Sequence, residues 1–102
     1  MITQPTFNTQ LQAFADYTKP GVTRKNLAKD EHTQFSLICL TAETKMPEHT
    51  AARNVSITVI EGHGVLTLKG QEITLQPGVF VYMPANTPHA LRASSNLAFL
   101  HT

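Results

Sequence analysis

Two histidines stand in settings that could carry chemistry. His49 follows Met46-Pro47-Glu48 and lies just ahead of the β-branched run Val55–Glu61. His89 closes the segment GVFVYMPANTPH at residues 78–89. There a glycine follows a proline, alternating apolar residues run to Met83, and Pro84 opens a rigid loop. That loop delivers one imidazole to the start of the next strand. A neutral imidazole donates and accepts hydrogen bonds, ligates borderline divalent metals and titrates near neutrality. The chemistry in view is metal ligation, acid–base work or polar ligand binding.

The other candidate groups offer less. His63 lies between Gly62 and Gly64 and is expected in solvent. His32 precedes a strand and reads as a surface residue. His101 becomes a third ligand if the last strand runs past it. Glu48 has the wrong parity beside His49 unless the chain bulges at Pro47. Glu61 adjoins a turn glycine and is expected to cap a strand end. Cys39, the single cysteine, sits in an apolar run and reads as a buried, inert thiol.

The elements that must position these groups are almost all β. Residues 11–17 could make one or two helical turns, and Lys19-Pro20-Gly21 reads as a turn. Residues 22–27 form a polar strand, and residues 33–42 a central one. Thr44-Lys45-Met46-Pro47 reads as a bend leading to His49. Val55–Glu61 is a strand ended by the glycines. Residues 65–69 and 72–75 pair as a hairpin, with Gly70 supplying positive φ. Pro77-Gly78 fits a type II turn. Residues 79–83, His89–Ala93 and 97–100 complete the set, the last two flanking a Ser94-Ser95-Asn96 turn. Eight or nine short strands without a long helix define an all-β sandwich or barrel.

Residues 78–89 resemble the second conserved motif of the cupin superfamily, G-x5-P-x-G-x2-H, with Asn86 in place of the second glycine. The family's first motif, G-x5-H-x-H-x3,4-E-x6-G, is kept in spacing only. Counting back from Gly62, His49 falls on the first histidine, Ala51 on the second and Val55 on the glutamate. Asn54 takes the glutamate's place after a one-residue slip, and Glu43 occupies that of the leading glycine. The stretch is similar to a subgroup of small cupins with H-T-A in place of H-x-H.

The resemblance covers roughly residues 20–100. It implies an all-β double-stranded β-helix, a cupin jelly-roll barrel of two antiparallel sheets, as a single domain over residues 1–102. It also implies that His49 and His89 meet at the barrel mouth, where they either hold one divalent metal ion (Zn, Fe, Mn or Ni) or hydrogen-bond to each other, to backbone or to water. A strand offers two histidines to one face only at i and i+2, and here that pair is His49 and the methyl of Ala51. The same parity continues through Arg53, Val55, Ile57 and Val59, the candidate ligand-binding face. Arg53 reads either as a clamp for a carboxylate or phosphate, or as an exposed loop residue paired with a surface acid. Phe35, Phe80, Tyr82, Met83 and Phe99 read as core or interface residues.

With 102 residues, 41% of them hydrophobic and 15% charged, the chain is expected to be globular. A formal net charge of +1 without basic runs points away from nucleic acid and anionic membranes. No apolar stretch approaches a bilayer span, and the first ten residues do not read as a signal peptide. One unpaired cysteine fits a reducing, cytoplasmic compartment. Low charge density fits a homodimer, and the resemblance implies pairing through edges such as residues 22–27. The expectation is a small-molecule-binding barrel with a reduced metal site. The alternative is a metal-dependent enzyme of dioxygenase or isomerase type acting on a small organic acid.

Overall fold

The computed structural model describes residues 5–102. Among them lie one helical turn, α1 (Leu11–Phe14), and nine strands. These are β1 (Val22–Lys29), β2 (Gln34–Leu40), β3 (Lys45–His49), β4 (Val55–Glu61), β5 (Gly64–Leu68), β6 (Gln71–Leu75), β7 (Phe80–Met83), β8 (His89–Ala93) and β9 (Leu97–His101). They form a five-stranded sheet, β1-β2-β9-β4-β7, and a four-stranded sheet, β3-β8-β5-β6. Every pairing is antiparallel. This is the double-stranded β-helix expected from the sequence, with the polar strand β1 at a sheet edge.

Alternation along the strands builds the interior. On β4, Val55, Ile57 and Val59 are buried and face Leu66 and Leu91 of the other sheet, with Phe99 of β9 in the same cluster. A single buried aliphatic side chain contributes about 1.5–3 kcal/mol to such a core. β2 differs, being buried on both faces from Ser36 to Leu40. Its second face, with Leu37 and Cys39, packs under the N-terminal segment through Phe14, Ala15 and Tyr17. That double burial explains why β2 reads as a continuous apolar run instead of an alternating one. Cys39 is buried there, and burial pushes its thiol pKa up.

The Tyr17 hydroxyl donates to Glu61 Oε2 at 2.6 Å, so Glu61 tethers the N-terminal segment and does not act as a strand cap. Burial, reinforced by the Glu61 carboxylate, raises the Tyr17 pKa well above its ordinary value. Phe99 and Met83 are core residues, whereas Phe35, Phe80 and Tyr82 lie exposed.

One element departs from the sequence expectation. Of the bend read at residues 44–47, Lys45, Met46 and Pro47 belong to β3, which pairs with β8. Nothing local in Lys-Met-Pro-Glu-His favours a strand. Long-range pairing imposes it, and Pro47 is tolerated because β3 is an edge strand.

The ends of the barrel are closed differently. At one end the turns after β2, β4 and β8 interlock. Ala42 N–H donates to Asn96 Oδ1 at 2.9 Å, His63 N–H to Ser95 Oγ at 3.0 Å and Ser94 N–H to the His63 carbonyl at 2.9 Å. Gly62 sits there at φ 86°, where a Cβ would drive into the Asn96 carbonyl oxygen. At the other end the loops after β3 and β7 meet. Asn86 N–H donates to the Ala51 carbonyl at 2.7 Å, and Ala85 N–H to Asn54 Oδ1 at 2.9 Å. Asn86 has φ 67° and Glu43 φ 71°, so both non-glycine residues at motif glycine positions keep the left-handed backbone. Asparagine tolerates that conformation better than most residues.

Candidate functional site

The loop-bounded end carries the histidines. His49 on β3 and His89 on β8 are cross-strand partners. Three steps separate Met46 from His49, while two separate their partners Leu91 and His89. The extra residue is a β-bulge at Pro47-Glu48. Strict alternation would put Met46 and His49 on opposite faces, and the bulge lets both line the same interior cavity. Glu48 is exposed and does not line that cavity.

The two imidazole rings have centroids 4.2 Å apart and are tilted by 57°. His49 Nδ1 lies 2.9 Å from the Pro47 carbonyl oxygen, and His89 Nδ1 lies 2.8 Å from that of Thr87. A carbonyl only accepts, so each Nδ1–H donates, which leaves each Nε2 lone pair available. Backbone carbonyls commonly orient metal-binding histidines in this way. His89 is buried and His49 exposed, so the pair spans the boundary between interior and solvent.

His101, at the end of β9, lines the same cavity. Burial lowers its pKa to about 4, and the positive groups Arg24 and Arg53, with His89 and His49, push the same way. The other interior walls are Ile38, Met46, Ile57, Met83, Leu91 and Phe99, with Arg24 at the rim. The cavity holds about 50 Å³, room for a water or two or one small ligand group.

Of the face expected to bind ligand, Ile57 lines this cavity. Val55 and Val59 share its inward orientation but pack within the core. Arg53 is exposed in the loop before β4 and lines an adjoining pocket of about 340 Å³. His63 and His32 are exposed. Among the described residues, no three His, Cys, Asp or Glu side chains gather closely enough to hold one metal ion. The nitrogen donors that face each other at the mouth are those of His49 and His89.

Sequence reading missed Arg24 and Ser36. Arg24 lines both the cavity and the adjoining pocket, and its Nη1 donates to Ser36 Oγ at 3.1 Å. The signal lies in the strand register and not in the sequence of β1. Arg24 pairs with Ile38, an interior residue, so it shares the inward face.

A jelly-roll barrel with a histidine pair at its mouth defines the class. Residues 36–101 match the cupin domain, and the chain belongs to that family. A relative from Aquifex aeolicus, described as an uncharacterized protein, is 31% identical over 68 residues, which cover 67% of this chain and 54% of the relative. The chain thus spans about half the length of the curated relative it matches.

Among solved structures, a cupin superfamily protein from Desulfitobacterium hafniense superposes with TM-score 0.84 at 21% identity, covering 95% of this chain and 90% of that one. Salicylate 1,2-dioxygenase from Pseudoaminobacter salicylatoxidans (G106A mutant) superposes with TM-score 0.73 at 19% identity, covering 82% of this chain and 26% of that one. At these identities the likeness is one of fold. Among the described residues no helix is long and apolar enough to cross a membrane.

Proposed function

We propose that the protein is a small-molecule-binding cupin barrel, one domain over residues 1–102, whose reduced metal site is the His49–His89 pair. The observation that supports this best is the pair itself: adjacent rings, each with Nδ1 tied to a carbonyl and Nε2 free. His49-Thr50-Ala51 agrees with the H-T-A variant of the first motif, in which one ligand histidine is replaced. His49 and His89 would hold the ion, and a bound divalent metal would supply a Lewis acid. The protein's own groups contribute the rest. Ile57 and its apolar neighbours form a wall that excludes water, and Arg53 supplies a fixed positive charge outside it.

Metal-free protein titrated with zinc, iron(II), manganese or nickel is expected to bind one ion weakly. His49→Ala and His89→Ala should each lose that binding. Unchanged affinity in both variants would remove the metal from the proposal.

A second reading is a metal-dependent enzyme of dioxygenase or isomerase type acting on a small organic acid. The fold shared with a salicylate dioxygenase favours it, and His101 lines the same cavity without coming close enough to share one ion with the pair. Near-stoichiometric iron, manganese or nickel in protein purified without chelators or affinity metals would support this reading over the first.

We also place the protein in the cytoplasm as a homodimer, paired through the exposed edge of β1. Light scattering coupled to size-exclusion chromatography is expected to give twice the chain mass at micromolar concentration. A monomer mass there would refute the dimer.

A further inference from the structure

We infer that Arg24 and Arg53 form a carboxylate seat beside the histidine pair, and that the ligand is a small organic monocarboxylate. This rests on the ligand-binding reading above and adds the ligand's chemical class.

The pocket of about 340 Å³ next to the histidine cavity is lined by Arg24, Asn26, Gln34, Arg53, His101 and Thr102. Arg24 and His101 also line the cavity containing His49 and His89, so the two spaces share a wall. Pockets from about 300 Å³ upward suit small organic ligands. The inner cavity, at about 50 Å³, cannot take the body of one. The bulk of a ligand must therefore sit in the outer pocket, with at most one small polar group reaching the imidazoles.

The outer pocket is rich in donors. It contains two guanidinium groups and no Asp or Glu. Among the described residues neither arginine forms an ion pair with Asp or Glu, because the recorded pairs are Lys25–Asp16 and His32–Glu31. Arg24 is held in place by a relay. Its Nη1 donates to Ser36 Oγ at 3.1 Å, and that hydroxyl donates onward to Asn26 Oδ1 at 3.0 Å. Gln34 Nε2 donates to the same Asn26 oxygen at 3.1 Å. Asn26 thus spends its acceptor on two donors and retains its own amide N–H groups.

Ser36 is fully buried, so the relay is anchored in the protein interior although Arg24 itself is accessible. Arg24 and Asn26 reach the pocket because their cross-strand partners, Ile38 and Ser36, lie on the same face of the sheet. Two cations and spare amide donors, with no neighbouring side-chain carboxylate and no ion pair to the main-chain end at Thr102, suit an anion. The flat fork of a guanidinium matches the two oxygens of a carboxylate.

The test uses probes of nearly equal shape, each acid against its neutral amide: benzoate against benzamide and pyruvate against pyruvamide, titrated calorimetrically into the whole protein, with inorganic phosphate as a third anion. At least one carboxylate should bind, and its amide should bind about tenfold or more weaker. Arg24→Ala and Arg53→Ala should each weaken the carboxylate by about tenfold. Arg24→Lys should recover only part of the loss, because an ammonium lacks the fork. Ser36→Ala should weaken the carboxylate while leaving the amide unchanged, which a general structural defect would not do.

Equal binding of acid and amide, lost in His89→Ala, would overturn the seat while leaving the ligand-binding barrel standing. Carboxylate affinity unchanged in both arginine variants would also overturn it. So would phosphate binding without carboxylate binding, or no carboxylate binding at about 10 mM.

Discussion

The two ends of this barrel are built on opposite principles. At the end marked by Gly62, the turns are fastened to one another by backbone amides, a serine hydroxyl and the Asn96 side chain. The glycine there is required because the Asn96 carbonyl occupies the space a Cβ would need. At the end marked by His49 and His89, imidazoles and guanidinium groups surround open space. One end joins the sheets, and the other leaves polar groups with spare hydrogen-bonding capacity. The difference teaches where substitutions should cost stability and where they should cost binding.

Gly62→Ala should produce the largest effect. It adds a steric clash with backbone to an unfavourable positive φ, and a loss of about 3 kcal/mol or more is expected in urea unfolding. Should the variant prove as stable as the parent, the Gly62 end would not be the rigid one.

The next effect belongs to the open end and depends on pH. His101 has a pKa of about 4 in the folded protein against 6.5 as its ordinary value. Between those values the unfolded chain holds more protons than the native one, so stability rises with pH across that window. It is lost as pH falls from about 6.5 to about 4 and is flat, as far as this group is concerned, outside it. Because His101 is only partly buried, the loss is expected to be about 1–2 kcal/mol after allowing for solvent screening. His101→Gln should flatten this part of the stability profile, measured by urea midpoints at closely spaced pH values. A profile unchanged by the substitution would remove His101 from the account.

The smallest effect sharpens the comparison within the open end. Asn86 has a left-handed backbone and, unlike Gly62, already carries a Cβ there. Asn86→Gly should shift stability by no more than about 0.5 kcal/mol, and Asn86→Ala should lower it by about 1 kcal/mol. A cost for Asn86→Gly as large as that of Gly62→Ala would erase the distinction between the two ends.

The strands β4 and β8 were legible to the residue, because branched or alternating side chains are bounded by glycine, proline and turn residues. The hairpin of β5 and β6 was legible for the same reason, although Lys69 joins Gly70 in the left-handed region. β3 was not, since Pro47 and three ionisable side chains give it no strand signature and its partner lies some forty residues away. The histidine pair was reached through motif spacing. Arg24 was hidden because a polar edge strand looks solvated until its register against β2 is known. Burial of Ser36 beneath it is likewise a tertiary fact.

The bulge at Pro47-Glu48 makes the length of one short stretch a heritable setting. Deleting a single residue between Met46 and His49 would restore an even ladder in which the histidine, two steps from Met46, keeps its inward face without any bulge. Straightening the stretch at its present length would instead turn the imidazole out into water while its partner kept its place indoors. In this stretch the number of residues governs the mouth as firmly as their identity does.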